Sequence, residues 1–249
     1  VGRARRSPEI PAYSLAFGKA LRDKCRKMPT WKDARGRRRR FVPTALAGDE
    51  KAESRHAFYL DTGPLFPVFA GLLPAGDPLM KDSVAWFREG PQKAFYRRDS
   101  NCWQVPVLDH EMSSCEPCYS WNVFHSWQAG DRQRFIEGMY SLLAGSVSRQ
   151  TGISCETRGG ITGNVFSAPL GLFMARLSII DDQVNPGDLL LLRVMPLAWL
   201  KPGDRCALEK MPTEFGPVSI ITKVSANGKT LDVTFKPSFR KAAQKVILH

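Results

Sequence analysis

CEPCYSWNVFHSWQ (residues 115–128), then AG (129–130), then DRQRFIEGMYSLLAGSVS (131–148) is the stretch whose reading decides the fold. Both long segments carry apolar residues at helical spacing, and the second places Phe135, Ile136, Met139, Tyr140, Leu142 and Leu143 on one broad face. Only Ala129-Gly130 lies between them, so the two helices must run antiparallel as a hairpin. A hairpin brings the segment before it and the segment after it to the same end. Asp109, His110 and Glu111 precede this one and Glu156 follows it. Carboxylates distant in sequence are thereby expected on one rim.

Working towards the N-terminus, Asp77-Pro78 starts a further helix, with Asp as N-cap and Pro at the first helical position. That helix carries Leu79, Met80, Val84, Ala85 and Phe87 and stops before Gly90-Pro91. The apolar residues from Gly63 to Leu73 read as a bent helix ahead of it, which makes a second hairpin. Tyr13 to Met28 reads as an amphipathic helix capped by Ser14, with Leu15, Phe17, Ala20, Leu21 and Cys25 inward. Thr30 to Arg55 is polar, basic and irregular, and reads as a loop.

Towards the C-terminus, Thr151 to Ala168 is a long glycine-containing loop. A helix over Pro169 to Asp182 follows, with Leu170, Leu172, Phe173, Ala175, Leu177 and Ile180 inward. The period then changes at Asn185-Pro186-Gly187. Leu189 to Met195 is a short continuous apolar run, hence a buried strand. Trp199 to Asp204 reads as a strand ending in a turn. Val218 to Ser225 and Thr230 to Phe235 flank Ala226-Asn227-Gly228-Lys229, a hairpin with an expected type I′ turn. Lys245 to His249 reads as a closing strand. The expected division is a helical-hairpin domain over 1–183 and an antiparallel β module over 184–249.

The 249 residues are 43% hydrophobic, enough for a core, and carry a net charge of +12 with an isoelectric point near 9.7. Such a charge favours an anionic partner. However, Arg3, Arg5, Arg6, Lys32, Arg35 and Arg37 to Arg40 concentrate the excess near the N-terminus, where a basic loop accounts for it. The alternation of aromatic and basic residues found on RNA-binding sheets is missing, so nucleic acid is not the expected partner. No apolar run is long enough to span a membrane. The first residues lack the apolar stretch of a signal peptide, so a cytoplasmic setting is favoured over secretion. The six cysteines lack a framework spacing and read as reduced, moderately buried thiols.

The segment Leu189-Leu190-Leu191-Leu192-Arg193-Val194-Met195-Pro196, continued by Ala198-Trp199-Leu200-Lys201-Pro202-Gly203, resembles the helical-to-β junction of bacterial six-hairpin glycosidases. Pro212-Thr213-Glu214-Phe215-Gly216-Pro217-Val218-Ser219, followed by the Asn-Gly hairpin, resembles the β module behind that junction. The resemblance spans roughly residues 60–249. It implies a mainly α fold of (α/α) toroid type with a small C-terminal β-sheet or sandwich. Five or six helices are countable, fewer than six hairpins require, so the ring would be incomplete or completed by another subunit.

The activity implied is hydrolysis of glycosidic bonds by paired carboxylates, one protonated and one acting as base or nucleophile. The resemblance places a carboxylate of this kind near Glu156; Asp109 and Glu111 are its candidate partners. Trp103 and Trp121 are candidate sugar platforms. Arg98, Arg158, His110 and Asp61 complete the expected substrate-binding rim, and arginines there suit an anionic sugar such as a uronate. The alternatives are a non-catalytic carbohydrate-binding or assembly subunit and, third, a basic nucleic-acid-associated protein. His110, Cys115, Cys118 and His125 have the residue types of a zinc site. Pro117 lies inside the cysteine pair and His110-Glu111 are adjacent, so the deaminase pattern fails. Buried thiols are the default reading, and neither metal nor cofactor is expected. Phosphate loop, nucleophile elbow and dinucleotide fingerprint are all missing from the sequence.

Overall fold

A computed structural model describes residues 9–28, 30–42, 67–68, 70–91, 118–146, 151–153 and 167–249. Among them are five α-helices: α1 (Glu9–Lys27), α2 (Pro78–Arg88), α3 (Cys118–Ala129), α4 (Arg132–Ser146) and α5 (Ser167–Ile179). Eight strands form three sheets: β1 (Trp31–Lys32), β2 (Arg38–Arg39), β3 (Ile180–Asp181), β4 (Asp188–Leu191), β5 (Arg205–Met211), β6 (Val218–Val224), β7 (Leu231–Pro237) and β8 (Lys245–Leu248). The chain divides into two compact units, Val1–Gly171 and Leu172–His249. None of the described helices is long and apolar enough to cross a membrane.

This architecture corrects the expected fold class. The protein is not a mainly α toroid: strands occur in both units, and the first core is not built from helix against helix. Residues 30–42, read from sequence as a loop, contain the β1–β2 hairpin, with Trp31 paired to Arg39 and Lys32 to Arg38. Trp31, Phe41 and Val42 are buried with Leu21 and Cys25 of α1 and Met80, Ala85 and Trp86 of α2. Phe41 stacks on Trp86 with ring centroids 4.4 Å apart and planes 18° from parallel. A ring contact of this kind adds about 1 kcal/mol to the burial of both side chains. The α1 and α2 faces are therefore satisfied by a hairpin and its exit strand, which removes the need for successive helices.

The polar residues of the hairpin hold it in place. Asp33 accepts from the backbone N–H groups of Arg35 and Arg37 and from the side chains of Arg37 and Arg39. Arg39 also reaches Asp82 of α2 at 2.7 Å, and the buried Ser83 hydroxyl accepts the Val42 N–H at 2.9 Å. Burial would raise the Asp33 carboxyl, but the hydrogen bonds from Arg39 and Arg37 dominate and hold it well below the usual carboxylate range. On α1 the helix begins at Glu9, earlier than the expected cap at Ser14. Leu21 and Cys25 are buried as expected, whereas Leu15 and Phe17 are exposed.

The α3–α4 hairpin forms, with its first helix described from Cys118, the expected start at Cys115 lying outside the described residues, and its second starting at Arg132. Gly130 takes a left-handed conformation (φ 71°). Its N–H bonds to Trp127 O and that of Asp131 to Ser126 O, which closes α3 in a Schellman arrangement. Asp131 then caps α4 by accepting from Arg134 N at 3.0 Å. Phe135 and Met139 are buried, while Tyr140 is exposed.

In the second unit α5 passes without a break into β3, so the chain is already a strand at Ile180–Asp181, where a helix was expected. Met174 and Leu177 are buried but Leu172 and Phe173 are exposed. The β module is not purely antiparallel either. β3 pairs antiparallel with β4, but β4 pairs parallel with β8, Asp188 opposite Lys245 through Leu191 opposite Leu248. The second sheet is the antiparallel meander β5-β6-β7. Ile180, Leu189, Leu191, Phe215, Val218 and Ile220 bring both sheets into one core. Where a strand was expected over 199–204, Trp199 ends a 3-10 turn (Leu197–Trp199) and residues 200–204 form a loop. The Asn227-Gly228 turn is not type I′, because only Gly228 has positive φ. Val224 pairs with Leu231, leaving a longer loop closed by Ser225 N to Thr230 O.

Two aspartates bind this unit together. Asp181 is buried; it accepts from Gln183 N and Val184 N through one oxygen and from Arg193 Nε at 3.2 Å through the other. Asp182 pairs with Arg176 of α5 and accepts Glu214 N at 2.7 Å. Arg176 in turn donates to Pro212 O at 2.7 Å. Burial alone would raise the Asp182 carboxyl, but the Arg176 guanidinium, Gln183 and the Glu214 N–H lower it below its ordinary value. A lowered folded-state pKa contributes stability that is complete above the unfolded value, near 3.9, and is lost as the pH falls through the folded one. Asp182→Asn should cost about 3 kcal/mol at neutral pH and flatten the fall in stability on acidification. Urea denaturation from pH 7 to pH 3, followed on the β5–β7 amides by hydrogen exchange, checks both.

Gly90 tests the first core. A Cβ there would lie 2.8 Å from Trp86 O and 3.0 Å from the Trp31 ring. Both are fixed, so Gly90→Ala should destabilise by roughly 1–3 kcal/mol, read as a lower melting temperature.

Candidate functional site

The described part of the first unit has a concavity of ligand size with both polar and apolar walls. It forms where the start of α2 meets the α3–α4 turn, and its volume is about 420 Å³. That is within the range of small-molecule sites, roughly 300–1,000 Å³. The lining comprises Ala75, Gly76, Lys81 and Val84 on one side and His125, Ser126, Gln128, Ala129 and Asp131 on the other. His125, Ser126 and Ala75 are buried, whereas Lys81 and Asp131 are exposed.

Local sequence explains each wall. Asp77 caps α2 by accepting Leu79 N at 2.9 Å and is held by Arg22 of α1 at 2.9 Å, which fixes the Ala75-Gly76 approach. The Schellman turn at Gly130 ends α3 where Gln128 can face that approach. Ala75 N donates to Gln128 Oε1 at 2.6 Å and ties the two walls together. The recess thus offers an ammonium, an imidazole, a hydroxyl, an amide and a carboxylate around apolar Val84 and Ala129. Both donors and acceptors are present, on elements already held by caps.

Most sequence-derived site residues lie outside the described residues: the catalytic candidates Glu156, Asp109 and Glu111, and the rim candidates Trp103, Arg98, Arg158, His110 and Asp61. Trp121 belongs to α3, one turn before His125. Of the zinc-type constellation, His110 and Cys115 also lie outside, Cys118 opens α3, and His125 lines the recess. Among the described residues no three His, Cys, Asp or Glu side chains are grouped to hold a metal ion. Lys81, Gln128 and Asp131 were not singled out from sequence. Asp131 was read only as the start of the second helix, and nothing local indicates that the start of α2 lies beside it.

Burial disfavours the thiolate form of Cys25 and Cys206. Burial pushes Cys25 up to about 11, with Arg40 pulling the other way. Burial also raises Cys206, against the opposing charge of Arg205.

The segment that carries the family resemblance is occupied structurally. Phe215 is fully buried, Thr213 Oγ1 donates to Gly216 O at 2.6 Å, and Gly216 (φ 128°) lies against Ser238 O, where any Cβ would come within 2.5 Å. Ser238, Arg240 and Lys241 donate backbone N–H groups back to Pro217 O and Phe215 O. These residues specify a tight turn docked on the segment after β7.

A scan against protein-family models finds no match, and searches of the curated proteins and of the solved structures find none either. The recess can be tested directly. Gln128→Ala leaves the Ala75 N–H without its acceptor and should cost about 1–3 kcal/mol. Gln128→Glu keeps an acceptor oxygen and should restore most of it, as read from urea midpoints.

Proposed function

We propose that this protein is carbohydrate-active, a glycoside hydrolase or part of one, in which the recess between α2 and the α3–α4 turn receives a sugar residue. The observation that carries the reading is the recess lining, with donors and acceptors set around small apolar surfaces, as hydroxyl-rich ligands require. The sequence resemblance at residues 189–203 and 212–219 supports the same class, independently of the ring architecture. Hydrolysis would fall to a carboxylate pair drawn from Glu156, Asp109 and Glu111, one donating a proton to the leaving oxygen and the other acting on the anomeric carbon or on a water. Lys81 and His125 in the recess, with Arg98 and Arg158, favour an anionic sugar over a neutral one.

The net charge of +12 favours a second reading, binding of nucleic acid. The decisive experiment offers the purified chain neutral and uronate-containing oligosaccharides, follows tryptophan fluorescence for binding, and measures new reducing ends for turnover. The expected result is binding with release of reducing ends, and loss of turnover by about 10³-fold or more in Glu156→Gln with binding kept. Binding without turnover in the wild type identifies a carbohydrate-binding or assembly subunit. No saccharide binding, together with steeply salt-dependent binding of RNA or DNA, replaces the reading by the nucleic-acid one.

A further inference from the structure

Helix α1 turns one face into the first core and leaves an unlike face outside. Gly18, Leu21, Cys25 and Met28 are buried. Tyr13, Ala16, Phe17, Ala20, Lys24 and Lys27 recur at the spacing of a single helix face, and all six are exposed. Tyr13 is 71% and Phe17 57% accessible, although aromatic side chains of this size usually find cover. The face changes character along the helix: it is apolar from Tyr13 to Ala20 and cationic at Lys24 and Lys27. Tyr13, Ala16, Phe17 and Ala20, with Leu72, line an open groove of about 540 Å³. Apart from the Tyr13 hydroxyl, those side chains carry no hydrogen-bonding group. The charges beside the groove are of one sign once the ion pairs are set aside. Asp23 is taken by Arg26 at 2.9 Å, and Arg22 by Asp77 at 2.9 Å. Lys19, Lys24 and Lys27 are exposed and, among the described residues, join no ion pair. The remaining acid of the helix, Glu9, lies about 15 Å along the axis from Lys19.

We propose that this face of α1 docks on an anionic lipid surface, with Tyr13, Phe17 and the groove among the outer acyl segments and Lys24 and Lys27 at the lipid phosphates. The contact is peripheral, since none of the described helices is apolar enough to cross a membrane. Hydrocarbon suits a groove that offers one hydroxyl. A protein partner brings about one hydrogen bond per 100–200 Å² of interface, and the groove has little to receive them. An exposed tyrosine beside an apolar surface is the side chain that settles at headgroup level. The three cations are lysines, which take phosphate as point charges, whereas the planar fork of arginine is the better match for the carboxylates of an acidic protein. From Ala20 to Lys27 the helix rises about 10 Å, so a tilted approach sets the apolar half deeper and the lysines at the headgroups. A second copy of the chain would cover the groove but leave the lysines without counter-charge. The proposal does not rest on the carbohydrate reading above.

The test sediments the full chain with phosphatidylcholine vesicles, with and without a quarter of phosphatidylserine, at several salt concentrations. The expected outcome is binding to the phosphatidylserine vesicles that weakens with salt, and little binding to phosphatidylcholine alone. Lys24→Gln with Lys27→Gln should weaken it about tenfold or more. The same change of net charge at exposed Lys229 and Lys236 of the second unit should leave binding near the wild-type level. Phe17→Asp should also weaken binding about tenfold, by removing apolar insertion, while the melting temperature holds because the side chain is exposed. Absence of binding to phosphatidylserine vesicles, equal weakening by both double variants, or indifference to Phe17→Asp each overturns the proposal. Polyglutamate held through Lys24 and Lys27 more tightly than the vesicles assigns the face to an acidic protein, and a dimer in lipid-free solution that Phe17→Asp dissociates assigns it to a second copy. Either result also overturns the proposal.

Discussion

The second unit depends on the pair of adjacent aspartates at the end of α5. The chain turns directly after β3, and Asp181 fixes that turn by accepting the N–H groups of Gln183 and Val184. Its other oxygen takes Arg193, which follows β4, so the same side chain holds the returning chain. Asp182 faces the opposite way in function: with Arg176 it grips both the carbonyl of Pro212 and the N–H of Glu214, and so anchors the turn between β5 and β6. One dipeptide therefore links α5, the mixed β3-β4-β8 sheet and the β5-β6-β7 meander. Burying carboxylates is favourable only where each oxygen is satisfied, and here each is.

The first unit solves a different problem. Here α3 and α4 pack on each other, whereas the β1–β2 hairpin and the residues after it supply apolar surface to α1 and α2 through Trp31 and Phe41. Two of the guanidinium groups that make residues 35–40 look like a solvated loop, those of Arg37 and Arg39, fasten that hairpin. Arg39 alone bridges Asp33 and Asp82 and lies over the Trp31 ring. Part of the basic charge near the N-terminus, that of Arg37 and Arg39, is thus structural.

The candidate recess was only partly legible. The short Ala129-Gly130 connection identified the helical hairpin, and Asp77-Pro78 identified the start of α2, because caps and turns are local and their residue types follow from local hydrogen bonding. Neither shows that Ala75 meets Gln128, since nothing between residues 75 and 128 constrains that distance. His125 drew attention as a possible metal ligand through its spacing from Cys118, but its position is that of a recess wall. The toroid expectation failed for a related reason. Apolar periodicity shows that a helical face must be covered, not what covers it, and Trp31 and Phe41 in a basic stretch outweigh the polarity of their neighbours once buried.

The sequence by itself determined where helices begin and end at Asp77, Gly130 and Asp131, that strands follow residue 185, and that β6 and β7 form a hairpin. These features are governed by interactions within a few residues. Tertiary structure alone decided that β8 lies parallel to β4, that 30–42 belongs to a core, that Leu15, Phe17 and Leu172 stay exposed while Leu21, Cys25 and Met174 are buried, and that Arg205 stands opposite Lys223. Each depends on which distant segment supplies the opposing surface or register. That pairing is selected by summed burial and hydrogen bonding across the whole unit, which no local window of sequence contains.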